Sequence, residues 1–261
     1  MEKLKNKRFL VTGATGYLGK VVSEEIVKEG GDVILLSHNF NRLKLVKKNL
    51  EKNYDRNIKI IKCNLFDFKN IKEITKQLSK EQYINGLVNC AYSGITGDLK
   101  NISEEDFTKA SKINIIAPFL LIKELEKKFV QTSTKFKELT SIVNIASIYG
   151  IVSAEKKNYK NTKDINPVHY GTSKSAMIHL SKYLACNLNS KHIRINSVSP
   201  GAFPNLKNKN KNKFIRLKNR IPLGRFGLPI EVAKPVIFLL SSDSSYITGT
   251  NLIIDGGWTS W

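Results

Sequence analysis

Seven short apolar runs recur along this 261-residue chain, and a segment with helically spaced apolar residues separates each run from the next. The runs span 8–12, 32–36, 58–63, 86–91, 141–147, 193–199 and 251–257. Between the first two, "GYLGKVVSEEIVKEGG" places Leu18, Val21, Val22, Ile26 and Val27 on one stripe, and Gly30-Gly31 end it. Further helices are expected near 41–52, 70–80, 103–129, 168–188 and 229–241; the one near 103 opens with Ser103 and Asp106, a capping pair. Runs that are apolar almost throughout suit strands covered on both faces, and strict strand–helix alternation is the order of a parallel sheet. No linker or internal repeat interrupts the pattern. The expected fold is α/β, a doubly wound, Rossmann-like parallel sheet in a single domain over 1–261.

The first strand runs into "TGATGYLG", Thr12 to Gly19. A turn between a strand and a helix N-terminus offers free backbone N–H groups and attracts a phosphate. Gly13 permits the tight turn, Gly16 lets a pyrophosphate approach, and Gly19 lets the helix pack on the sheet. With Thr15, Tyr17 and Leu18 these form the candidate cofactor-binding turn, although Ala14 stands where G-x-G-x-x-G has its second glycine. An acid about 20 residues further on would accept a ribose 2′-OH. Here Ser37 and His38 follow the second strand, with Arg42 beyond and no acid among them, so NADP(H) is favoured and NAD(H) stays possible.

Composition removes other classes. The formal charge is +21, but Lys and Asn are used heavily everywhere, as in "KNKNKNKF", so the charge reads as a solvated surface and no nucleic-acid partner is expected. No apolar run reaches the roughly 18 residues of a membrane span. The basic start "MEKLKNKRFLVTG" has too short an apolar part for a signal peptide, so a cytoplasmic protein is expected. Cys63, Cys90 and Cys186 are odd in number and widely spaced, and the four histidines lack ligand spacing; no metal site is expected.

"HYGTSKSA" places Tyr170 and Lys174 one helical turn apart on the same face. A free phenol, with its pKa near 10, is a poor acid–base catalyst at neutral pH, and a nearby ammonium would favour the phenolate. The pair follows a strand ending in Ser147 and precedes one ending in Pro200-Gly201.

In this order of pieces the chain resembles the short-chain dehydrogenase/reductase family over nearly its whole length. The matching segments are Thr12–Gly19, "LVNCA" at 87–91, "KIN" with Asn114, Ser147, Tyr170 with Lys174, "SPG" at 199–201, "IPLGRFGLPIEVA" at 221–233 and "ITGTNLIIDGG" at 247–257. The resemblance implies an NAD(P)-dependent enzyme moving a hydride between nicotinamide and a carbon bearing oxygen. It implies Tyr170 as general acid/base, Lys174 as its partner and ribose ligand, Ser147 as a donor to the substrate oxygen, and Asn114 as a holder of the proton relay. It adds Asn64, Leu65, Asn89, Ala91, Pro200, Gly201 and Phe203 to the cofactor-binding set. A small-molecule substrate and a homodimer or homotetramer built on the two long helices are likewise implied.

Several positions depart from the family pattern. The glycine spacing T-G-x-x-G-x-x-G is typical of the longer, sugar-nucleotide-modifying branch, whereas the length and the closing "IIDGG" fit the shorter one. An epimerase or dehydratase with retained NAD, and a non-catalytic nucleotide binder, therefore stay open beside a reductase. Tyr92 replaces a glycine and would bring a ring near the cofactor ribose; Asn64 replaces an acid near adenine. Ser147 and Tyr170 lie 23 positions apart, more than is usual, and the surplus at 150–169 is expected to loop out beside the substrate. That loop with "PVHYGTSKSA" is similar to reductases of bacterial surface-glycan and flagellin modification, which act on sugars, sugar phosphates or nucleotide sugars. The basic stretch 207–218 falls where the family carries its substrate lid, and Trp258 and Trp261 are expected at an interface or at the substrate pocket.

Overall fold

The computed structural model describes residues 2–188, 191–205 and 215–261. Its strands are β1 (Arg8–Thr12), β2 (Asp32–Ser37), β3 (Ile58–Lys62), β4 (Gly86–Asn89), β5 (Thr140–Ile145), β6 (Ile193–Pro200) and β7 (Asn251–Ile254). They form one parallel sheet in the order β3-β2-β1-β4-β5-β6-β7. The helices are α1 (Tyr17–Lys28), α2 (Phe40–Asn53), α3 (Phe68–Leu78), α4 (Glu104–Ser111), α5 (Ala117–Phe136), α6 (Val168–Asn187), α7 (Ile215–Lys218) and α8 (Pro229–Leu240).

The period of two along each strand sorts its side chains between two cores. Phe9, Val11, Val33, Leu35, Val143 and Val198 meet α1, α2 and α8 on one face. Leu10, Ile34, Leu36, Ile142 and Ile195 meet α3, α5 and α6 on the other. Each fully buried side chain of this kind contributes about 1.5–3 kcal/mol, so a sheet apolar on both sides is held from both sides. β1 pairs with β2 on one side and β4 on the other, so the winding reverses there and a crevice opens at the strands' carboxyl ends.

The helix expected over 103–129 is interrupted. Ser103 and Asp106 do form a capping box at the start of α4. Pro118, however, has no N–H to give the Asn114 carbonyl four residues back. The ladder widens into a π-turn over Lys112–Ile116, with the Ala117 N–H bonded to the Lys112 carbonyl, and α5 then runs on to Phe136.

The surplus between Ser147 and α6 is not a free loop. It carries short 3-10 turns at Ile148–Gly150, Lys156–Asn158 and Thr162–Asp164. Its Tyr159 and Ile165 are buried in a third apolar cluster with Ile148, Leu217, Ile221 and Trp258. Arg216 Nη1 donates to the Tyr159 carbonyl at 3.0 Å, and Arg220 meets Glu155 at 3.6 Å. Trp258 therefore closes an internal cluster, while Trp261 is exposed beneath the Arg220 guanidinium. Of the basic stretch 207–218, residues 207–214 lie outside the described residues; 215–218 are α7.

Candidate active site

The glycine turn is fastened before it meets any ligand. Thr12 Oγ1 accepts the N–H groups of Cys90 and Ala91 at 3.1 and 3.2 Å, tying the end of β1 to the loop after β4. Gly13 has φ +63°, and a Cβ there would lie 2.7 Å from Ala91 Cα. A Cβ on Gly19 would lie 2.2 Å from the Gly13 carbonyl oxygen, so this glycine seats α1 against the turn itself rather than on the sheet. Gly16 is the N-cap of α1 and no side chain caps the helix, which leaves its first-turn N–H groups for an anion. A carboxylate there would compete for that place; the residues present fit a pyrophosphate.

This turn opens into a cleft of about 670 Å³ along the carboxyl ends of the sheet. Gly13, Thr15, Gly16, Tyr17 and Leu18 line it, as do Ser37, His38 and Arg42 after β2 and Asn64 and Leu65 after β3. Ala91, Ser147, Tyr170, Lys174, Pro200, Gly201 and Phe203 complete the expected residues found there. Thr15 and Ser37 join their hydroxyls at 2.8 Å across the β1–β2 crevice. No acid lines the adenosine end, where Lys62 joins His38 and Arg42.

Two expected residues do not line the cleft. Asn89 is buried beneath it and donates to Asn144 Oδ1 at 2.8 Å; Asn144 in turn donates to Ser181 Oγ at 2.9 Å. That chain braces β4, β5 and α6 from inside, while Asn89 Oδ1 is buried with no hydrogen-bond partner among the described residues. Asn114, in the π-turn, accepts from the Ser93 N–H at 2.8 Å and donates to the Ser93 carbonyl at 2.9 Å and to Ser173 Oγ at 3.0 Å. It buckles the loop after β4 to α6 beside Lys174 and acts through position.

Lys62, Phe66, Cys90 and Ile113 also line the cleft and were not expected there from the sequence. Lys62 was open to discovery: it is the last residue of β3 and pairs in register with Ser37. Tyr92, the ring expected near the ribose, lines the cleft beside Tyr170. Its ring is 65 % exposed and stands edge-on to Tyr170, centroids 6.2 Å apart.

The reactive groups converge at the other end. Ser147 Oγ accepts from the Tyr149 N–H at 3.2 Å, which leaves its own proton to give. That proton goes to the Tyr170 hydroxyl, and the bond favours the phenolate. Lys174 is 4 % exposed; its Nζ donates to the Ile145 carbonyl at 2.7 Å and stands 5.6 Å from the centre of the Tyr170 ring. Burial pushes Tyr170 up to about 12 despite the Ser147 bond, and burial lowers Lys174 to about 8. The expected acidification of the phenol by Lys174 is not what sets its proton affinity: burial dominates, and the opposing influence comes from the Ser147 hydrogen bond. At neutral pH Tyr170 carries its proton and is equipped to donate it. Cys90, next to Lys174, is pushed up to about 11 by burial and stays a thiol.

Among the described residues no group of three His, Cys, Asp or Glu is placed to hold a metal ion. Among the described residues no helix is long and apolar enough to cross a membrane.

Comparison with known proteins agrees with this geometry. A family model described as Enoyl-(Acyl carrier protein) reductase matches residues 13–259. A 3-oxoacyl-(acyl carrier protein) reductase of Rickettsia typhi is 34 % identical over 257 residues, covering 96 % of both chains. The post-translational flagellin modification protein A of Campylobacter coli is 27 % identical over 262 residues, covering 98 % of this chain and 99 % of its own. A short chain dehydrogenase of Leptospira borgpetersenii, solved with bound NAD+, is 30 % identical with a TM-score of 0.82, covering 99 % of this chain and 94 % of that one. With one parallel sheet, a glycine-turn cleft and a Ser–Tyr–Lys cluster at its far end, this chain belongs to the short-chain dehydrogenase/reductase family and is an NAD(P)-dependent oxidoreductase.

Proposed function

We propose that this enzyme uses NADP(H) to reduce a carbonyl on a small, oxygen-rich substrate of the sugar, sugar-phosphate or nucleotide-sugar kind. The observation that carries the reading is the meeting, in one cleft, of a protonated Tyr170, its Ser147 donor and the buried Lys174 ammonium. Tyr170 gives its proton to the substrate oxygen as that oxygen becomes a hydroxyl. Ser147 holds the same oxygen, Lys174 binds the nicotinamide ribose, and Asn114 keeps Ser93 and α6 in register. The bound dinucleotide would supply the hydride.

His38, Arg42 and Lys62 support NADP(H): three basic side chains at the adenosine end suit a 2′-phosphate, and no acid offers itself to a free 2′-OH. Asn64 Oδ1 accepts from the Phe66 N–H at 3.2 Å, so its NH₂ is the end available to adenine. The packed segment at 150–169 supports a compact, specific substrate rather than an open cleft. The whole chain, 1–261, would serve as one cytoplasmic catalytic domain. Ile116 and Phe119 around the start of α5 and Tyr183 on α6 are exposed apolar groups, which supports a homodimer or homotetramer built on these helices.

A second reading is reduction of a 3-oxoacyl thioester on an acidic carrier protein. The full-length likeness to the Rickettsia reductase and the net charge of +21 favour it.

The test supplies the purified enzyme with NADPH or NADH and a panel of keto-sugars, sugar phosphates, nucleotide sugars and a 3-oxoacyl thioester, following the nicotinamide absorbance. Turnover with an oxygen-rich carbonyl supports the first reading; turnover with the thioester alone selects the second; NAD that copurifies without net reduction selects an epimerase. In any of the reductive cases Tyr170→Phe lowers kcat about 10²- to 10⁴-fold. NADPH binding, followed by fluorescence, survives the substitution. Undiminished turnover in that variant removes Tyr170 as the proton donor.

A further inference from the structure

Hydrogen-bond accounting at the surplus segment points to a second binding region. The hydroxyls of Tyr149 and Tyr159 lie 2.6 Å apart, and Asn166 Nδ2 donates to Tyr159 at 3.4 Å. Two phenols bring two protons, and only one can lie between their oxygens. Tyr159 is 5 % exposed and sits among Ile148, Ile165, Leu217, Ile221 and Trp258, where a spare proton would have no acceptor. The satisfied arrangement has Tyr159 accept from Asn166 and donate to Tyr149. The remaining proton then belongs to Tyr149, which is only partly buried.

Tyr149 also lines a separate cavity of about 390 Å³ between the loop after β4, the surplus segment and the outer flank of α6. Val152, Ala154, Ile165 and Pro167 supply its apolar wall, and Ser153, Asn166 and Thr172 its polar one. Its two charged lining residues are Lys156 and Asp98, one of each sign; Asp98 already accepts from the Lys100 N–H and from Asn101. Tyr149 lies two residues beyond Ser147, and Gly171, which lines the cavity, directly follows Tyr170, so this cavity adjoins the reacting end of the main cleft.

We propose that this cavity is a subsite for the non-reacting part of the substrate, in which Tyr149, oriented by Tyr159, donates a hydrogen bond to an uncharged ring or chain hydroxyl. The inference rests on the reductase reading and narrows it: the distal part of the substrate is an oxygen-bearing, uncharged, sugar-like group. An alkyl chain would leave the Tyr149 proton unpaired in the closed site. Tyr159 is a positioning residue, because it acts through Tyr149.

The decisive probe is a panel of neutral mono- and disaccharides examined by saturation-transfer NMR with the wild-type enzyme in the presence of NADP+. Sugar resonances are expected to gain saturation with the wild type and to lose most of it with Tyr149→Phe, whose NADPH affinity and circular dichroism stay unchanged. Equal saturation in the two proteins, or none from any sugar with the wild type, overturns the subsite. Failure of the wild type to bind NADPH would instead overturn the reductase reading, so the two failures are separable. With whichever carbonyl sugar turns over, Tyr159→Phe raises KM roughly 3- to 10-fold, the effect of one neutral hydrogen bond, and leaves kcat within about twofold. A matched fall in kcat with KM unchanged would count against it.

Discussion

The two ends of the cleft are built in different ways. The cofactor end is made by regular elements alone: a strand, a turn fixed by Thr12, Gly13 and Gly19, and the bare N-terminus of α1. The substrate end is closed by an irregular segment whose buried residues, Tyr159 and Ile165, lean on Leu217 and Trp258 from distant parts of the chain. The first takes shape once β1 and β4 pair and Thr12 meets the loop after β4. The second takes shape when α7 and the C-terminal turn arrive. The two ends of the cleft thus have different folding requirements.

The contrast breaks most severely at Gly19. Its replacement by Val forces a side chain to within 2.2 Å of the Gly13 carbonyl, so α1 must leave the turn. NADPH affinity should fall at least about 100-fold and stability by about 1–3 kcal/mol, the range of core overpacking; fluorescence titration and thermal melting measure the two. A Gly19→Val enzyme that binds NADPH normally would show that the seating of α1 is not what shapes the anion site.

A smaller effect sharpens the cofactor end. Arg42→Ala combined with Lys62→Ala should raise KM for NADPH about 10- to 100-fold and leave NADH nearly unaffected, since charge-assisted bonds are worth about 1.5–3 kcal/mol. Equal losses for both cofactors would move the 2′-phosphate elsewhere.

The smallest effect is one of pH. Lys174 titrates at about 8, and the charged form, present below that value, is the one proposed to hold the ribose. Tyr170, at about 12, stays protonated throughout the working range. Reductive kcat/KM should accordingly be level through neutral pH and decline above about pH 8, where Lys174 loses its charge. A profile still rising at pH 9 would reverse that assignment.

The parts legible in the sequence match the local part of this contrast. Strands such as Phe9–Val11 and Val33–Leu36 announce themselves because burial on both faces leaves no polar position among them. The turn and the Tyr170–Lys174 spacing are local too. Asn89 and Asn114 were placed in the cofactor and catalytic sets by resemblance, yet their side chains turn inward to Asn144 and to Ser93 and Ser173. Residue identity does not reveal which way an amide faces. The packing of 150–169 was illegible for a related reason: it has no periodicity of its own, and its partners lie far along the chain.

Among the described residues Lys174 Nζ donates its hydrogen bond to the sheet, at the Ile145 carbonyl, and none to the surplus segment. The seat of the cation is therefore part of the chassis. Exchanging 151–167 for the equivalent stretch of another reductase should redirect such an enzyme to a new molecule without moving that cation, which makes this segment the natural cassette for grafting.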